Sequence, residues 1–267
     1  MTFDTIIRQG RWFDGTGAPS EIRDIGIRDG RVAAVSADEL DATGCPQVID
    51  ASGKWVMPGF LDIHTHYDVE LWKDAGLAES VRHGVTTVTM GSCSISTVHV
   101  DAEDAGDLFG RVEAIPRDHV VTAMSGNKTW SNAEEYIAAL EKLPLGPNIS
   151  AFMGHSDLRV STMGLDRATD DHVRPTRAEL DVMEAKLTAA LEAGFAGMSI
   201  MNLKFDKLDG ERCRSRTIPS TYAKPREFRR LKSVIRSRGA VVQSAPNIRM
   251  PIDIVSHAVQ SWGLFRK

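Results

Sequence analysis

In the stretch Met57–Asp68, MPGFLDIHTHYD, two histidines flank a threonine directly after an apolar run and a Pro-Gly turn. In an extended strand, residues i and i+2 point to one face. His64 and His66 are therefore expected to project together, close enough to share one divalent ion through imidazole nitrogen. Asp68 and Asp62 are neighbouring carboxylates that can orient a ring or join the site. The plainer reading is an exposed polar strand end. Cys93 closes the apolar run of TTVTMGSCSIS. A zinc-bound thiol there would be deprotonated and ligating, whereas a free one is often only a small buried hydrophobe.

These side chains need a scaffold that brings strand ends together. Residues 1–56 read as short strands: DTIIRQGRWFDG and RDIGIRDGRVAAVS mix alternation with β-branched residues, and Asp29-Gly30 is a hairpin turn signal. QVIDASGKWVMPG continues the style, with a turn at Ser52-Gly53. From residue 57 the pattern changes to strands alternating with helices, as in a parallel sheet of βα units. GFLDIHTH, GVTTVTMGSC, HVVTAMSG, NISAFMGH, GFAGMSIMN and GAVVQSAP read as strands.

Helices are expected between them. Ser131 and Glu134, and again Thr176 and Glu179, have capping-box spacing. A third helix opens near Pro225 and stops at Gly239. No Gly-x-Gly-x-x-Gly opens a helix, so the series favours a (β/α) barrel over a dinucleotide fold. Barrel chemistry sits at the carboxyl ends of the strands. His64, His66, Cys93, His155 and Asn202 all fall there.

The 267-residue length can bury a large core, and 42% hydrophobic with 25% charged residues is ordinary for a globular protein. A net charge of −4 argues against nucleic acid and anionic membranes as partners. The Arg- and Lys-rich segment from Lys207 to Lys232 reads as a solvated face; alternatively Arg212, Arg214 or Arg216 meets a substrate carboxylate. Three scattered cysteines do not make a disulfide framework, and no signal peptide or membrane span is evident, so a cytoplasmic location is expected. Cys213 is assigned no role.

VMPGFLDIHTHYD resembles the first-strand motif of the amidohydrolase superfamily, metal-dependent hydrolases on a (β/α) barrel flanked by a β-sandwich. Together with GVTTVTMGSCSIS and FMGHSDLR, it is similar to the narrower family of N-acyl-D-amino-acid deacylases, from the amino terminus to the last residue. The resemblance implies an α/β fold, with a β-sandwich portion at 1–56 and a TIM-like (β/α) barrel over 57–267. It implies one or two zinc ions held by His64, His66 and Cys93, and hydrolysis of a small-molecule N-acyl-D-amino acid to a carboxylate and a D-amino acid. His155, in GHSDLR, matches a motif at the barrel mouth, where it either contacts substrate or is a hydrogen-bonded structural histidine. Arg159 either binds a substrate carboxylate bidentately or caps a loop.

The sequence also departs from the family. Where the resemblance calls for a metal-binding histidine on the fifth strand, GAVVQSAPNIR offers Gln243, Ser244 or Asn247. These are poor zinc ligands beside imidazole. The family's acid/base aspartate lies on the last barrel strand, whereas about six strand candidates follow the sandwich here, short of the eight that close a barrel. The chain is thus expected to be the amino-terminal portion of a longer enzyme, with an exposed sheet edge as an aggregation hazard. Two alternatives remain: a cyclic-amide hydrolase whose metals are bridged by Lys204, and an inactive fragment.

Overall fold

The computed structural model describes residues 2–245 and Val255. The chain divides into two compact units, Met1–Phe60 and Leu61–Lys267.

The first unit is a five-stranded mixed sheet: β1 (Thr5–Trp12), β2 (Glu21–Arg28), β3 (Arg31–Ser36), β4 (Gln47–Asp50) and β5 (Trp55–Val56). The Asp29-Gly30 signal forms the β2–β3 hairpin, with both residues at positive φ (51° and 69°) as a tight primed turn needs. β1 pairs antiparallel with β2 and parallel with β4 and then β5. Its register shifts between Ile7 and Gly10, where Gln9 adopts φ 56° and its N–H donates to buried Asp24.

The second unit contains β6 (Phe60–Asp62), α1 (Ala78–Arg82), β7 (Val85–Met90), α2 (Ala102–Val112), α3 (Arg117–Asn127) and α4 (Ala133–Leu140). It continues with β8 (Asn148–Gly154), α5 (His155–Met163), α6 (Leu165–Ala168), α7 (Arg177–Glu192), β9 (Gly197–Met201), α8 (Pro225–Ser237) and β10 (Val241–Ala245). Its sheet runs in sequential order from β6 to β10, with β7 to β10 paired in parallel. Sequential parallel neighbours joined by helices are barrel topology. The fold is α/β: an incomplete TIM-like (β/α) barrel, with five barrel strands among the described residues and a small β unit preceding them.

The third of the six expected strands, HVVTAMSG, is instead helical and lies within α3. Val120 and Met124 are fully buried four residues apart while the positions between them are more exposed, a helical spacing rather than a strand alternation. The Thr176–Glu179 box caps α7 as expected, with bonds in both directions. At α4 the cap is one residue later than expected. Asn132 accepts from the Glu135 N–H, and the Glu135 carboxylate reaches back to Ser131.

Helix faces explain the core. Leu180, Met183 and Leu187 of α7, and Leu231 and Ile235 of α8, are buried at helical spacing. Each such side chain contributes about 1.5–3 kcal/mol when removed from water. Trp72, Trp130 and Tyr136 form an aromatic cluster, the two indoles stacked at 4.2 Å. No helix among the described residues is long and apolar enough to cross a membrane.

Candidate metal centre

The two histidines are held in place by the residue between them. Thr65 is buried, and both its N–H and its hydroxyl donate to the Thr89 carbonyl of β7 at 2.9 Å. The expected strand ends at Asp62, short of the histidines, so strand alternation does not reach them. Thr65 is buried against β7 while His64 is exposed and His66 half-buried. The Asp62 carboxylate accepts the His64 N–H at 3.2 Å and shapes the turn. The His64 and His66 rings stand 5.4 Å apart, edge to face.

Cys93 arrives from the adjacent strand through a tightly specified turn. At Gly91 (φ 73°) an added Cβ would lie 2.1 Å from the Phe152 carbonyl oxygen, so no side chain fits. Cys93 and Ser94 follow at φ 51° and 72°, a conformation costing about 1–3 kcal/mol per non-glycine residue. Hydroxyls secure it. The Ser94 N–H donates to Ser199 Oγ at 3.0 Å, the Ser199 hydroxyl donates to the Gly91 carbonyl, and Ser94 and Ser156 share a 2.8 Å bond.

The turn delivers Cys93 Sγ to 3.0 Å from His64 Nε2. One ligand atom from each of His64, His66 and Cys93 lies within 4.8 Å of the others. His66 Nδ1 is buried without a hydrogen bond, with Glu113 Oε1 3.5 Å away. Burial and then the neighbouring His64 depress His66 to about 4, so its ring is uncharged at neutral pH. Burial, with Glu113 and Asp206 adding to it, pushes the Cys93 thiol up to about 12. Burial and Asp206 raise Glu113 to about 7. Asp68 lies behind the cluster; burial raises it to about 7 although it accepts the Gly91 N–H at 3.0 Å.

His155 and Arg159 form a separate arrangement. Both side chains are fully buried on α5. His155 Nε2 meets Glu227 Oε1 at 2.9 Å and its Nδ1 meets Ser220 Oγ at 2.9 Å. Arg159 Nη1 donates to both Glu227 oxygens at 2.7 and 2.6 Å, and Nη2 to the Ala168 carbonyl. Burial lowers His155, while Glu227 opposes that shift. Burial raises Glu227, but the His155 hydrogen bond and the Arg159 charge outweigh it, and the net shift is downward. The consistent assignment is an ionised Glu227 paired with Arg159 and a neutral His155 donating from Nε2. Substrate contact by either residue would require the release of Glu227.

The remaining candidates are dispersed. Arg212 pairs with Asp104 and Asp107, Arg216 bonds Thr169, and Arg214 is exposed. Lys204 is exposed and lines a 210 Å³ cavity with Lys207, Arg216 and Tyr222. Gln243 Nε2 donates to the Ile63 carbonyl at 3.2 Å, beside His64, and its Oε1 is buried without a partner. Asn247 lies outside the described residues. Sequence reasoning did not single out Glu113, Asp157, Ser199 or Glu227. Asp157 alone carried a local signal, standing two residues after His155 in a quoted motif.

A family profile described as "Amidohydrolase family" matches residues 47–217. An uncharacterized protein of Mycobacterium tuberculosis is 58% identical over 267 residues, which is 100% of this chain and 44% of that protein. The N-acyl-D-glutamate deacylase of Alcaligenes xylosoxydans xylosoxydans is 31% identical over 256 residues, covering 96% of this chain and 46% of its own length. The crystal structure of N-acyl-D-glutamate deacylase from Bordetella bronchiseptica, complexed with zinc and a phosphonate mimic of the reaction tetrahedral intermediate, aligns with a TM-score of 0.76 at 29% identity. That alignment covers 98% of this chain and 49% of that one. The chain thus spans 44–46% of the length of these curated relatives. The profile covers most of the chain and includes both strand ends that supply the histidine and cysteine donors. This chain belongs to the amidohydrolase family.

Proposed function

We propose that His64, His66 and Cys93 bind zinc, and that the enzyme built around them hydrolyses the amide bond of N-acyl-D-amino acids. The observation that carries this reading is the convergence of two imidazoles and a thiol, from the ends of two neighbouring strands, within 4.8 Å. The donors suit zinc, which takes nitrogen and sulfur ligands and needs its histidines neutral. The buried Nδ1 of His66 makes no hydrogen bond and faces the Glu113 carboxylate at 3.5 Å. The chemistry such an ion supplies is Lewis acidity, toward an acyl carbonyl and toward a water whose pKa falls to about 7.

The chain's own residues supply geometry and protonation state. Thr65 and the serine-bonded turn preset the positions of the three donors, which limits reorganisation on binding. Cys93, protonated in the ion-free site, must release its proton on binding, so affinity rises with pH. Glu113 stands where a carboxylate can orient the His66 ring. The resemblance implies that an aspartate would supply the proton for the leaving amine; among the described residues none is assigned that role. His155 and Arg159 act through Glu227, fixing α5 against α8 at the barrel mouth. Nothing in the surroundings of Lys204 favours a bridging role, which weakens the cyclic-amide alternative. All three cysteines are free thiols, which suits a reducing cytoplasm.

The test is an assay of the zinc-loaded full-length enzyme on N-acetyl-D- and N-acetyl-L-amino acids. Hydrolysis of the D series, abolished by Cys93→Ala, is expected. Undiminished turnover in Cys93→Ala would contradict the assignment.

A further inference from the structure

The loop that carries Cys93 continues across the first turn of α5, where one carboxylate collects its donors. Asp157 is fully buried. It accepts the Ser96 hydroxyl at 2.7 Å and the backbone N–H groups of Val98, His99 and Val100 at 2.8, 3.1 and 3.0 Å. From the other side, Lys128 Nζ donates to the Thr97 and Val98 carbonyls at 3.2 and 2.9 Å, its ammonium lying 4.6 Å from the Trp130 ring centre. The Trp130 indole N–H adds a third bond, to the Thr97 carbonyl at 3.0 Å.

The same peptides are thus held through their N–H groups by a buried carboxyl group and through their carbonyls by a half-buried lysine. Helix and loop also meet without side-chain clearance. A Cβ on Gly154, just before α5, would stand 2.6 Å from the Ser94 carbonyl oxygen. The clamped residues, Ser96 to Val100, follow closely on the strained Cys93–Ser94 pair, and such backbone persists only when its surroundings over-determine it.

We propose that Asp157, assisted by Lys128, is a positioning residue for Cys93, fixing the loop so that the thiol meets His64 and His66; this rests on the metal set proposed above. A carboxylate suits the role because both its oxygens can accept, and the Ser96 hydroxyl and the three backbone N–H groups donate to it. Asn in its place would turn an NH2 group toward one or more donors, leaving buried N–H groups unpaired.

The experiment compares wild type with Asp157→Asn in two ways. In the ion-free protein, the alkylation rate of Cys93 is read by peptide mass against Cys45 and is expected to rise about tenfold, as local opening becomes easier. With cobalt as the probe, affinity is expected to fall by about 10–100-fold and the thiolate-to-cobalt absorption to weaken, while the far-ultraviolet dichroism stays unchanged. Wild-type alkylation and wild-type cobalt spectra in a folded Asp157→Asn protein would overturn the proposal. If wild type binds no cobalt, the metal reading fails, and the alkylation arm still decides for or against the clamp. Should Asp157→Asn not fold, Ser96→Ala and Lys128→Met replace it. Both are expected to shift alkylation in the same direction by less, and no shift in either would overturn the proposal.

Discussion

Two histidine clusters in the barrel unit contrast sharply in how their polar atoms are satisfied. At His155 each ring nitrogen has a partner at 2.9 Å, and a buried Arg159–Glu227 pair surrounds the ring. At His66 one buried ring nitrogen makes no hydrogen bond, with Glu113 Oε1 3.5 Å away, and the neighbouring His64 is exposed with a thiol against it. Residue type does not separate the two. Satisfaction does: a saturated network holds helices in place, whereas an unsatisfied one with convergent donors has capacity for a ligand.

Removing groups from each cluster should therefore do different things. Glu227→Ala leaves the Arg159 guanidinium buried and unpaired, and should cost about 3–5 kcal/mol of stability in urea unfolding. His64→Ala or Cys93→Ala should cost the ion-free protein less than about 1 kcal/mol, because the positions are partly exposed. The same two variants should weaken zinc binding by about 100-fold in a chelator competition. A Glu227→Ala protein of native stability, or an unstable Cys93→Ala one, would erase the distinction.

Acid should act on the saturated cluster through His155. Unfolded histidine takes up a proton near pH 6.5, while buried His155 is held below its ordinary range. Below that pH the unfolded chain binds the extra proton, so stability falls with decreasing pH by up to about 1.4 kcal/mol per unit. Glu227, shifted downward, adds stability that is present above its unfolded value of about 4.3 and is lost as the pH falls through its lower folded value. Between about pH 7 and 5, unfolding free energies also carry His66, which acts in the same sense, and the raised carboxyls of Asp68 and Glu113, which act in the opposite one. The His155 contribution is therefore the difference in slope between wild type and His155→Gln, the wild type losing more stability toward acid. Among effects on zinc affinity, the smallest is expected at Gln243→Ala. It removes the bond to Ile63 and should cost about 1 kcal/mol, with a modest loss of zinc affinity through a looser His64.

How legible each feature was in the sequence followed the range of its interactions. The His64/His66 pair stood out because its spacing is local, although β6 ends at Asp62 and the histidines follow it rather than alternate within it. The β2–β3 turn was legible because Asp-Gly answers a local backbone requirement. HVVTAMSG misled for the same local reason: Val120 and Val121 are β-branched, but burial at Val120 and Met124 settles the segment as helix. The cap at Asn132 rather than Ser131 is a one-residue shift between two equally capable residues. Glu227 was invisible because its partners are 68 and 72 residues away in sequence. Asp157 likewise reaches back 57 to 61 residues to its loop. Helix pattern alone marks Glu227 only as a polar residue in a mostly polar helix, and only the packing of α8 on α5 gives it two cationic or protic neighbours.

The central claim, that His64, His66 and Cys93 together hold a metal, is tested most directly by X-ray absorption on the zinc-loaded chain. The account predicts a shell with one sulfur at about 2.3 Å and two imidazole nitrogens at about 2.0 Å, the sulfur vanishing in Cys93→Ala. A zinc shell of oxygen and nitrogen alone, unchanged by that substitution, would contradict it.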